Sequence, residues 1–189
     1  MFAACAASKI PMIRVMFNPP QADDYPAQEY EYCKLVDSWI PLCEKYGVKV
    51  GVQMHHGRGA MTTADMMRVV SRFDPKHIGA IWDAAHSALA GENPEQAIDV
   101  CWSHLCLANF KNARWQMYGR NMDGTANFKP YFCPGPDGVL SWPRAVAHLK
   151  KKGYAGTWCM PAEYTGLTHE EEQQYAVRDL TWLKSLVEG

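Results

Sequence analysis

The chain has 189 residues, 48% of them hydrophobic and 21% charged, with 19 basic against 20 acidic side chains and a formal net charge of −1. Such a length suits one domain with a sizeable core, and the composition excludes a disordered segment. Near-neutrality argues against a nucleic-acid surface, which carries a basic excess or stripe, and no apolar run approaches the length that spans a bilayer.

Ile10 to Phe17 reads as a strand, ended by Asn18-Pro19-Pro20. A helix is expected from about Pro26 to Tyr46, with Pro41 bending or splitting it and Gly47 at its C-cap. Val48 to Gln53 is the second strand. Thr62 and Asp65 form a capping-box pair opening a helix through Phe73. Ile78 to Trp82 is the third strand, and Asn93-Pro94 opens the next helix. His104 to Phe110 is the fourth strand. The polar, glycine-rich stretch from about Lys111 to Leu140 is too long for an ordinary connection and is expected to be a functional loop. Ser141 caps a helix running to Lys152, whose lysines suit a helix C-terminus. Gly156 to Met160 is the fifth strand, and Thr168 with Glu171 caps the last helix.

Five strands, each followed by a helix, imply an α/β parallel sheet, doubly wound or closed as a barrel. Ligands then gather at the carboxyl ends of the strands. Those ends carry Gln53-Met54-His55-His56, Asp83 with His86, Asn109-Phe110-Lys111-Asn112, and Pro161-Ala162-Glu163. Imidazoles, carboxylates, amides and an ammonium together suit a polyhydroxylated substrate, or a divalent cation held by oxygen and nitrogen. Trp115 and Tyr118 in the long stretch offer faces on which a sugar ring can stack.

Seven scattered cysteines without a C-x-x-C pair read as reduced thiols, the pattern of a cytoplasmic protein. The opening MFAACAASKIPMIRV lacks a basic start and is not read as a signal peptide.

In order and local pattern the chain resembles the sugar isomerase/epimerase-like TIM barrels of the xylose-isomerase-like superfamily. The family's L-E-N-H strand looks like VGVQMHHG at 50–57, its D-x-x-H matches Asp83-Ala84-Ala85-His86, and its H-x-H-x-K-D looks like LANFKN at 107–112. Its closing stretch resembles PGPDGVLSWPRAVAHLKKKGYAG at 134–156. The resemblance implies a metal-assisted isomerase or epimerase moving a proton beside a carbonyl, with Mn²⁺, Mg²⁺, Co²⁺ or Zn²⁺ held at four strand ends. By position those ligands become Gln53, Asp83, Asn109 and either Pro161 or Glu163. Glu163 and His86 would act as proton-transfer groups, and His55, His56, Lys111 and Trp115 would bind substrate. Amides replace the family's first Glu and its His, so the ion would be held more weakly.

A complete (β/α)₈ barrel needs about 250 residues. Five strands resembling the family's last five imply an incomplete TIM barrel, one partial domain over residues 1–189, with a second copy or a partner subunit over its open side. An alternative is a catalytically degenerate barrel that binds a small molecule or a partner without metal. A DNA-repair endonuclease of the same superfamily would need histidine-rich metal sites and a basic face, and the sequence displays neither.

Overall fold

Short apolar strands alternate with amphipathic helices along the computed structural model, which describes residues 1–18 and 24–189. Phe2–Ala7 (α1) leads into Met12–Met16 (β1); the proline pair 19–20 expected to end this strand lies outside the described residues. The long helix expected next is two, Tyr25–Asp37 (α2) and Ile40–Tyr46 (α3). Pro41 sits in the first turn of α3, where its missing N–H costs no hydrogen bond. Gly47 closes α3 at φ 64°, the left-handed conformation that glycine adopts without a Cβ penalty.

Lys49–Gln53 (β2) follows, then Thr63–Val70 (α4), whose Thr62–Asp65 box closes with two 3.0 Å bonds. Ile78–Asp83 (β3) runs directly into Ala84–Leu89 (α5), a short helix that the sequence pattern did not reveal. Pro94–Cys101 (α6) and Leu105–Asn109 (β4) come next. β1, β2, β3 and β4 lie side by side, all parallel, and a last strand, Thr157–Cys159, pairs with β4. The result is a half-barrel, an incomplete TIM barrel with β3 at its centre and buried at every position.

The stretch expected as a loop is instead an antiparallel hairpin of Asn112–Arg120 (β5) and Ala126–Cys133 (β6). Its outer half is exposed on both faces, so it lacks the apolar alternation of a half-buried strand and reads as loop. Its base is fixed by buried Asn112, whose amide donates to the carbonyls of Gly135 and Leu140 and whose oxygen accepts from the N–H groups of Ala113 and Leu140. The remaining elements are Trp142–Lys151 (α7), the strand Thr157–Cys159 (β7) and His169–Glu188 (α8).

The core beneath the strand ends is aromatic. Phe110 packs edge-on to Trp82 and Trp142 and stacks on Trp158, with centroids 5.6–5.9 Å away. Because Phe110 is locked on the helix side, its neighbours Asn109 and Lys111 are turned toward the inside of the arc. No described helix is long and apolar enough to cross a membrane, and all seven cysteines are free.

Candidate functional site

Asp83 ends β3 and caps α5, its Oδ1 accepting from the N–H groups of Ala85 and His86 at 3.1 and 3.2 Å. Its other oxygen accepts from Gln53 Nε2 at 2.7 Å and Asn109 Nδ2 at 3.4 Å, and lies 3.7 Å from Lys111 Nζ. Burial pushes this carboxyl up to about 6, against the attraction of Lys111. Gln53 is oriented from both ends, since its oxygen accepts from Arg14 Nη1 at 2.8 Å.

Lys111 donates to Glu163 Oε2 at 2.6 Å and sits 4.8 Å over the Phe132 ring. Glu163 reaches this position because Ala162 takes a left-handed backbone, φ 53°, which turns the chain back after β7. Of the two candidates at this strand end, Glu163 is therefore the one that joins the network. Its side chain is 47% exposed against 6% for Lys111, so a solute can approach the carboxylate from the open side.

Beside this network lie three imidazoles. His56 Nδ1 and His86 Nδ1 face each other at 3.1 Å, and the His55 ring overlies that of His86 with centroids 3.9 Å apart. One ligand nitrogen from each lies within 4.8 Å of the others. Burial holds all three below the usual histidine range, most strongly His86, where the Lys111 charge adds to it. Phe132 and Trp115 on the hairpin pack against His56, and Trp115 is anchored by a 3.0 Å bond from its indole N–H to the Leu89 carbonyl.

Gln53, Asp83, Asn109, Lys111 and Glu163 thus meet at one end of the sheet beside His55, His56, His86 and Trp115, whereas Tyr118, expected to offer a second stacking face, lies on the exposed outer half of the hairpin with Lys129 over its ring. Arg14 and Phe132 join them unforeseen. A lone charge within the apolar strand IPMIRVMF was the available signal for Arg14, while Phe132 gave none, because its strand was taken for loop. The grouping of the three histidines was also not apparent from their spacing.

A model of the xylose isomerase-like TIM barrel family matches residues 1–186. The chain belongs to this family. Among its relatives, the inosose dehydratase of Lactiplantibacillus plantarum is 25% identical over 139 residues, 70% of this chain and 46% of that one. That of Bacillus cereus is 24% identical over 144 residues, covering 71% and 48%. The chain spans about half the length of the curated relatives it matches. Among solved structures, a D-tagatose 3-epimerase-like protein superposes with TM-score 0.74 at 17% identity, over 99% of this chain and 66% of the other. The 3-keto-D-glucoside 4-epimerase of E. coli gives 0.72 at 17%, over 97% and 67%, and the zinc-bound IolI protein 0.69 at 18%, over 99% and 66%. These are likenesses of fold.

The donors at the four strand ends do not fit the family's metal position. Only Asp83 and Glu163 are anionic, and Lys111 Nζ lies 3.7 and 2.6 Å from them. Gln53 and Asn109 present amide nitrogens, not oxygens, to Asp83. A divalent ion would have to displace an ammonium that already neutralises both carboxylates.

Proposed function

We propose that the chain catalyses proton transfer on a carbohydrate, isomerising or epimerising a keto sugar or keto polyol by removing a proton beside its carbonyl. The observation that carries this reading is the 2.6 Å pair of Lys111 and half-exposed Glu163 at the carboxyl ends of the strands. Glu163 takes the α-proton. Lys111 donates to the oxygen on which enolate charge develops. Return of the proton from Glu163 to the neighbouring carbon isomerises the sugar, whereas inversion at the same carbon takes its proton on the opposite face, from solvent or an imidazole. His55 and His56, both partly exposed, hydrogen-bond substrate hydroxyls, buried His86 passes a proton to or from one of them through His56, and Trp115 covers an apolar face of the sugar. The inosose dehydratase and epimerase relatives support this step. Epimerising a ketone and eliminating a hydroxyl beside it both begin with loss of the α-proton.

The test is ¹H–²H exchange of ketoses (D-fructose, D-tagatose, D-psicose) and of an inosose in heavy water, followed by NMR. Deuterium enters the α-position with the wild-type chain, and Glu163→Gln slows entry at least about 100-fold. No exchange with any of these compounds overturns the reading. A second reading, sugar binding without turnover, is favoured by the amides Gln53 and Asn109 at strand ends where the family carries Glu and His. It predicts ligand-induced stabilisation with no exchange. We also place the chain in the cytoplasm, in keeping with its seven free thiols, and propose that its open side is covered by a second copy or another subunit.

A further inference from the structure

We propose that His55, His56 and His86 form a three-imidazole site for a single Zn²⁺ or Co²⁺ ion, set beside the Lys111–Glu163 network rather than within it. The inference rests on the ring geometry and not on proton transfer at Lys111–Glu163; with an ion bound, the three imidazoles hold it in place of the substrate hydroxyls assigned to them above.

The proton positions follow from the bonding. His55 Nδ1 lies 2.7 Å from the carbonyl oxygen of His56, which only accepts, so Nδ1 carries the proton and Nε2 keeps its lone pair. His56 and His86 point Nδ1 at Nδ1 across 3.1 Å. Two ring nitrogens so placed either share one proton or direct both lone pairs at one ion. Zinc–imidazole bonds of about 2.0–2.1 Å with tetrahedral angles separate two ligand nitrogens by about 3.4 Å. The observed edge is near that value. His55 and His56 are only partly buried and can rotate to close the third side, while buried His86 stays fixed.

The surroundings match a metal-bound imidazole. With Nδ1 toward the ion, the buried Nε2 of His86 faces Asp83 Oδ2, 3.9 Å away, and it has no hydrogen-bond partner among the described residues. A carboxylate behind the distal nitrogen is the usual support of a metal-bound histidine. The charges around the cluster are Lys111, Arg14 and Arg58 against Asp83 and Glu163. Lys111 is bound to Glu163, and Arg14 to Gln53, so neither ammonium nor guanidinium is free to occupy the space between the rings. Three neutral nitrogens with no carboxylate among them favour imidazole-preferring ions over Mg²⁺ or Ca²⁺, which take oxygen ligands. Three protein ligands leave a fourth position for water or a substrate oxygen, as in catalytic zinc sites.

The experiment is a Co²⁺ titration of chelator-stripped protein read by visible absorption, since Co²⁺ in a four- or five-coordinate nitrogen site absorbs strongly where the hydrated ion does not. One equivalent is expected to bind. His55→Gln and His56→Gln, both at partly exposed positions and checked for folding by circular dichroism, are each expected to weaken binding at least about 10-fold. Asn109→Ala and Glu163→Gln are expected to leave it within a factor of about 2. Absence of the band up to millimolar Co²⁺ overturns the proposal. So does binding lost in Asn109→Ala or Glu163→Gln and kept in the histidine variants, which would place the ion at the strand ends.

Discussion

Lys111 is the cation on which two carboxylates depend, one buried and one half-exposed, and its removal costs more at high pH than at low. Asp83 titrates at about 6 in the fold against 3.8 in the unfolded chain. Protonation therefore favours the fold, and stability from this group falls as the pH rises through 6. In the wild type Lys111 offsets part of that loss. Without its attraction Asp83 titrates higher still, and Lys111→Met leaves a buried carboxyl with no counter-charge at pH 8, at an expected cost of about 3 kcal/mol. The cost should shrink by pH 5, where Asp83 takes up a proton. The three histidines, held below 6.5, run the other way, giving stability above that pH and losing it as the pH falls. Lys111 is one cause of that lowering, so its removal relaxes the histidines toward 6.5 and narrows the gap between the two chains further at low pH. Urea midpoints of the two chains at pH 8 and 5 check this, and a gap that widens on acidification would refute it. Asp83, His86 and Lys111 were legible in the sequence because each stands where an apolar strand runs out. The choice of Glu163 over Pro161 was not. It rests on a left-handed backbone at Ala162, a conformation that residue spacing does not encode and alanine does not advertise.

Among the elements, the helices declared their starts. Thr62–Asp65, Asn93–Pro94, Ser141 and Thr168–Glu171 all cap as their chemistry requires. Two elements were hidden for physical reasons. α5 follows β3 with no spacer, Asp83 serving as both strand end and helix cap, so its alanines continue the apolar run. The β5–β6 hairpin carries Pro130 and charged residues on strands that solvent reaches from both sides, and neither periodicity nor propensity marks it. The hairpin matters because it brings Phe132 and Trp115 onto the histidines, and its position depends on one amide. Asn112→Ala would leave the Gly135 and Leu140 carbonyls and the Leu140 N–H buried without their partner, at an expected cost of about 3 kcal/mol. Hydrogen exchange should show early loss of protection at Ala113 to Met117, with β2 and β3 protected as before. Uniform loss across the sheet would mean that the hairpin is not a separable unit.

For the molecule as a whole, the decisive feature is that five parallel strands form an arc and do not close. A barrel abolishes its edges by joining first strand to last. Here β1 and β7 stand at the two ends of the sheet order, with no further strand beside either among the described residues. Each presents a row of unpaired backbone N–H and C=O groups, a template for another chain. β1 carries one charged side chain against edge pairing, Arg14, and that guanidinium is already drawn inward to Gln53. β7 has only three residues, of which Trp158 and Cys159 are half-buried. Natural edge strands that stay single are blunted by lysine, proline or a covering element, and β1 lacks the first two. A second copy laid against β1 would pair those groups and cover the interior side chains of the arc. Sedimentation velocity should therefore show a dimer at micromolar concentration. A wild-type chain that sediments as a single monomeric species over a hundredfold range of concentration would show that the edges are tolerated as they stand.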